Sequence, residues 1–147
     1  MKKIIATLAV IFSLTTSATF AYDGSSVSRS VLKSFTNEFA GAQNASWEAL
    51  SDGISKVTFN YDSKSVQAFF DERGEVIATG TIINEDHLPL LVSKALNSKY
   101  SSYEKSEFIE FTMAGETQYL VTVKSGKKAQ VLKISNLGNI EVYKKLK

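Results

Sequence analysis

Two groups of side chains in this 147-residue chain could do chemistry. The first is Glu85-Asp86-His87, which holds the single histidine. An imidazole beside carboxylates can serve as a base with its orienter, or as part of a metal site. Three consecutive residues do not converge on one atom, however. Acids also favour the positive N-terminal end of a helix, so the segment reads as a helix start with Asp86 as cap. The second group is Asp71, Glu72 and Glu75. Paired carboxylates can hydrolyse a glycosidic bond, but these three fall in one hairpin turn and read as solvated turn acids. Asp71 to Glu75 contains D-x-x-G but lacks the repeated acids of a calcium loop. The chain carries no G-x-S-x-G elbow, no G-x-G-x-x-G fingerprint and no phosphate loop. No catalytic, cofactor-binding or metal-ligating residue is assigned, and the protein is read as non-enzymatic.

Composition narrows the class further. With 44% hydrophobic residues, the chain has enough apolar material to offset the entropy of ordering, which excludes a disordered tail. No cysteine is present, so disulfide scaffolds and lipoprotein anchors are excluded. One histidine and no cysteine leave no multi-histidine or zinc-finger site within one chain.

Met1-Lys2-Lys3, the apolar run Ile4 to Leu14 and the small residues up to Ala21 follow the order of a secretory signal peptide. The apolar run is too short to span a membrane core of about 30 Å. Cleavage is expected between Ala21 and Tyr22, which delivers the protein to the periplasm or outside the cell with no membrane span. Removal takes Lys2 and Lys3 and no acid. It leaves fifteen basic and fifteen acidic residues and a net charge of zero. Nucleic acid is therefore not an expected partner, since that affinity rests on clustered positive charge. The lysines near the C-terminus read as a solvated strand edge.

The elements behind these residues show two periodicities. Val27, Val31, Phe35 and Phe39 recur at helical spacing, with Ser26 or Ser28 as cap and Gly41 as stop. Period two follows, in a short strand at Trp47 and in Val57-Phe59-Tyr61, Val66-Ala68-Phe70 and residues 76–83, separated by short turns. The order then returns. Leu88, Val92, Leu96 and Tyr100 lie 61 residues after the four helical positions. Phe108 follows Trp47 by the same spacing, and Gly138 follows Gly74 by 64. The expectation is an α+β fold of two tandem repeats. Each is a helix plus a four-stranded antiparallel meander, and the helices pack on one face of the sheet. The boundaries are 1–21 for the signal peptide, 22–26 for a flexible leader, 27–84 for the first repeat and 85–147 for the second.

Several of these residues carry a resemblance. They are Gly41-Ala42-Gln43-Asn44-Ala45-Ser46-Trp47 after a Val- and Phe-rich helix, then Val57-Thr58-Phe59, then Phe70-Asp71-Glu72-Arg73-Gly74. The pattern resembles the PepSY-like family of secreted bacterial proteins, itself similar to beta-lactamase inhibitor proteins. Ala45 stands where Val is common. The second copy has Phe108 in place of the Trp and Ile134-Ser135-Asn136-Leu137-Gly138 in place of Phe-Asp-x-x-Gly. The resemblance covers about residues 27–146. It implies tandem α/β units on an antiparallel sheet, with the helix-free face available to grip a protein.

Alternation assigns residues to that helix-free face. Lys56, Thr58, Asn60 and Gln67 make it polar, and Phe69, Ile77, Leu120, Val131 and Tyr143 add an apolar stripe. Contiguous apolar groups facing outward mark interaction sites. These nine residues are the candidate partner-binding face, for a protein or peptide or a second copy of the chain. An inhibitor of, or adaptor for, an exported protein is one version. The alternative is a small-ligand carrier, which needs a cavity of roughly 300 Å³ between helices and sheet.

Overall fold

The computed structural model describes residues 27–146. The expected signal peptide (1–21) and leader (22–26) lie outside them. The first helix, α1, is Arg29–Glu38. Ser28 begins it, its Oγ accepting from the Val31 N–H at 3.3 Å, which satisfies one of the donors a helix start leaves open. Gly41, at φ +92°, turns the chain out of the helix. Four strands follow: β1 (Gln43–Ala49), β2 (Ser55–Tyr61), β3 (Lys64–Phe70) and β4 (Val76–Ile83). Helix α2 is Leu90–Tyr100. The remaining strands are β5 (Glu104–Met113), β6 (Glu116–Ser125), β7 (Lys128–Ser135) and β8 (Ile140–Leu146).

The expectation of two helix-plus-four-strand repeats is corrected by the pairing. All eight strands form one antiparallel sheet in the order β1 to β8. β4 pairs directly with β5, from Ala78↔Met113 to Ile83↔Phe108, so the ladder passes through the middle of the chain without a boundary. The two helices are short, at 10 and 11 residues, and the protein is mostly β rather than α+β. Helical spacing in two windows overstated the helical share. Nothing in the local pattern announces a strand pair formed across the connection 84–103.

A second correction concerns the start of α2. Asp86 does not cap it. Glu85–His87 forms a separate 3-10 turn, and Pro89 occupies the cap position with no side-chain hydrogen bond to the helix. Proline suits this place because the helix start needs no partner for its missing N–H.

Both helices lie on one face. Under α1, Val31 packs with Trp47, Val57, Phe59, Ala68 and Phe70. Phe35 meets Trp47 and Phe59 edge-on, with ring centroids 5.2 and 5.1 Å apart, a favoured aromatic geometry. Under α2, Val92 and Leu96 pack with Phe108, Val121, Leu132 and Ile134. Two turns clasp these helices. Gly74 lies against Ser30, and Gly138 against Leu91.

Candidate partner-binding face

The opposite face carries no helix among the described residues. Register places its side chains. Lys56 stands beside Phe69, which stands beside Ala78. Thr58 stands beside Gln67 and Asn60 beside Ser65. Ile82 stands beside Ile109, and Ile109 beside Leu120. An apolar cluster runs along this face through Ile54, Phe69, Ala78, Ile109, Phe111, Leu120 and Val131, with Ile77, Met113, Tyr143 and Leu146 packed against it. Phe69 and Phe111 meet nearly perpendicularly at 6.1 Å.

The structure therefore gathers Phe69, Ile77, Leu120, Val131 and Tyr143 into one cluster. They do not form an open stripe. Phe69, Leu120 and Val131 are buried, and Ile77 and Tyr143 are half-buried. Burial pushes the Tyr143 phenol above its usual ionisation range. The accessible apolar group is Ile82, at 48% exposure. Sequence reasoning missed Ile82, Ile109 and Phe111. Ile109 and Phe111 alternate around Glu110, which is a strand signal. A bulge between Ser106 and Phe108, with Glu107 at φ +50°, shifts the phase just ahead of them.

The four polar positions lie beside this cluster, on β2 and β3. Asn60 is exposed, and Lys56, Thr58 and Gln67 are half-buried. Lys56 Nζ is 2.9 Å from Glu48 Oε2 on β1. The Gln67 Oε1 atom is buried and has no hydrogen-bond partner among the described residues. A buried carbonyl left unpaired costs about 1–3 kcal/mol, so it favours any donor that reaches it.

The chemistry-bearing groups sit elsewhere. His87 is 66% exposed, with Nδ1 3.3 Å from Asp86 Oδ1. Among the described residues, no three His, Asp or Glu side chains converge to hold a metal ion. Asp71 organises its own turn. Its Oδ1 accepts the backbone N–H groups of Arg73 and Glu75 at 3.0 and 2.9 Å, and its Oδ2 accepts from the Arg73 guanidinium. Partial burial works to raise its pKa, and these hydrogen bonds and the guanidinium charge together bring it below the usual aspartate value of 3.8.

A polar cleft of about 560 Å³ opens where β3 and β4 part. Their ladder ends at Val66↔Thr81. Thr81 and its β5 partner Glu110 at that end, and Lys64, Asn84 and His87 beyond it, line the gap. Glu110 Oε2 accepts the Tyr119 hydroxyl at 3.3 Å. No helix among the described residues is long and apolar enough to cross a membrane.

Comparisons place the fold among solved structures. A BLIP-like protein from Bacteroides fragilis superposes with a TM-score of 0.70 at 22% identity, covering 81% of this chain and 86% of that one. A DUF2874 family protein from Bacteroides ovatus gives 0.70 at 18% identity, covering 76% and 82%. A protein from Bacteroides eggerthii described as "putative periplasmic" gives 0.73 at 13% identity, covering 78% and 85%. The chain has the fold of these BLIP-like and DUF2874 proteins. No family model matches the sequence, and no curated protein matches it.

Proposed function

We propose that this is an exported, non-enzymatic binding module that holds a protein or peptide through its helix-free sheet face. One observation carries the reading. On the face where no described helix lies, a packed and buried apolar cluster from Ile54 to Val131 makes a rigid support for the accessible groups around it. Beside it stand exposed Ile82 and a polar group of Lys56, Thr58, Asn60 and Gln67. The accessible surface there is an apolar point at Ile82 within a polar surround, which is the mixture a small contact patch uses. The buried Gln67 Oε1 adds an acceptor awaiting a donor.

The reading also takes the chain as a PepSY-like protein, exported by its first 21 residues and acting in the periplasm or outside the cell. The shared fold with a BLIP-like protein supports it. Restraint of an exported enzyme is the version closest to that likeness.

The test is capture from the host's envelope and secreted fractions. An Asn60→Arg, Ile82→Glu variant is compared with a Leu91→Glu variant on α2. The face variant is expected to lose a protein that the unaltered chain and the α2 variant both retain. Equal retention by all three contradicts the assignment of the face.

A carrier of a small polar ligand is the second reading, favoured by the cleft of about 560 Å³. It is an open cleft at the sheet's end and not the enclosed space of roughly 300 Å³ between helices and sheet expected from the sequence. Under this reading, native mass spectrometry of the purified protein finds a bound small molecule, and Lys64→Met with Glu110→Gln releases it. A protein free of ligand when isolated from its host removes the reading.

A further inference from the structure

One corner of the sheet concentrates positive charge. Three adjacent rows of the β5–β8 ladder contain Lys105 beside Val123, Lys124 beside Glu104, and Lys144 and Lys145 beside Val131 and Gln130. The β6–β7 turn adds Lys127 and Lys128. These rows and the turn hold six lysines against two carboxylates, Glu104 in the first row and Glu107, whose Oε2 accepts the Thr122 hydroxyl of the third row at 3.2 Å. Lys105, Lys124, Lys127, Lys128 and Lys145 form no ion pair among the described residues.

Protection of a sheet edge does not account for the cluster. Lysines on an edge strand deter pairing with another sheet, which suits Lys144 and Lys145 on β8. Lys105, Lys124, Lys127 and Lys128 belong to the interior hairpins of β5, β6 and β7, where no edge needs protection. The hairpin tip also overhangs its neighbour. β5 begins opposite Lys124, so the tip residues 125–128 stand beyond that strand. The far end of the sheet carries the opposite sign. There the turns and strand starts bear Asp52, Asp71, Glu72, Glu75 and Glu116 against Arg73, while the lysine end holds Asp62, Glu85 and Asp86 on its β2–β4 side, away from the corner.

We propose that this lysine corner docks on an anionic lipid surface. The separated charge orients the molecule with the corner toward the surface. The overhanging tip lets several ammonium groups reach a plane of headgroup phosphates together. These rows hold no aromatic side chain on which bases could stack, as single-stranded nucleic acid requires. The corner lies at the β6–β7 end of the sheet and leaves Asn60 and Ile82, on β2 and β4, to their own partner, so the inference goes beyond the proposed function and does not depend on it.

The test uses the chain without residues 1–21, since all described elements lie in 27–146. The probes are vesicles of phosphatidylcholine alone and of phosphatidylcholine with phosphatidylglycerol, read by co-sedimentation across a salt series. Each lysine at an anionic surface adds about fivefold in affinity. The chain is expected to bind only the phosphatidylglycerol vesicles and to release as salt rises. Combined Lys124→Gln, Lys127→Gln, Lys128→Gln and Lys145→Gln should weaken binding at least about tenfold. Lys127→Glu alone, at an exposed turn, is the check if the combined variant folds poorly, and should weaken it severalfold. Arg29→Gln, Lys33→Gln, Lys64→Gln and Lys94→Gln remove equal charge elsewhere and should have much less effect. Failure to bind at low salt overturns the proposal, and so does an equal loss in both sets of variants. Tighter binding to duplex DNA than to the vesicles overturns it too.

Discussion

Gly138 rests on the first turn of α2, so closely that a Cβ there would stand 2.8 Å from the carbonyl oxygen of Leu91. Gly74 holds the same relation to Ser30 of α1, also at 2.8 Å. Both have φ near +87°, a region costly for any residue with a Cβ. Each turn thus pins a helix to the sheet. Gly74→Ala and Gly138→Ala should each destabilise by more than about 2 kcal/mol, because strain and a backbone clash add. Gly115→Ala keeps the strain, at φ +80°, but meets nothing within 4 Å, and should cost about 1 kcal/mol. Urea unfolding of the three variants checks the order.

The ring cluster under α1 is expected to carry much of that helix's attachment. Phe59 is buried and meets Phe35, Phe39 and Tyr61. Phe59→Ala should cost about 3–5 kcal/mol through lost burial and the cavity left behind. Leu137→Ala, at a position 70% exposed, should stay within about 0.5 kcal/mol. Comparable losses from both would mean that α1 does not depend on this cluster.

Asp71 predicts part of the acid response. Its folded pKa lies below the unfolded value of 3.8. Its contribution to stability is therefore complete above about pH 4, and is lost as pH falls through the lowered folded value. Asp71→Asn should flatten the acid limb of the stability–pH curve. An unchanged limb would show that the turn does not hold the carboxylate as drawn.

At the alkaline side Tyr119 acts in the opposite sense. Desolvation first, then the charge of Glu110 and its hydrogen bond, raise its pKa above the usual 10.0. Its stabilising contribution is complete below pH 10 and is lost as pH rises through the raised value. Ultraviolet titration should show two late-ionising phenols, Tyr119 and Tyr143, and Tyr119→Phe should remove one of them.

The elements were legible where side-chain spacing reports local conformation. Val31 and Phe35 announced α1, Val57 and Phe59 announced β2, and Gly74 and Gly138 announced turns. Architecture was less legible because pairing is non-local. The β4–β5 ladder joins Ile83 to Phe108 across a helix, and that pairing makes one sheet of what reads as two units. The helix-free face was legible by alternation, so Phe69, Leu120 and Val131 do share a cluster. Their burial was not, because alternation gives direction and says nothing of what surrounds a side chain. Phe69 is 0% exposed, so a charge placed there tests folding, and binding is better tested at Asn60 and Ile82. The lysine corner needed the ladder register, which puts Lys105 and Lys145 in one row and Lys124 in the next, at the same end of the sheet.

The most direct test of the central claim is photo-crosslinking in the host envelope, with a photoreactive residue at Asn60 or Ile82 on the helix-free face, or at Lys94 on α2. A binding module of the proposed kind gives one discrete adduct from the first two positions and none from the third. Adducts arising only at Lys94, or equally at all three positions, would contradict it.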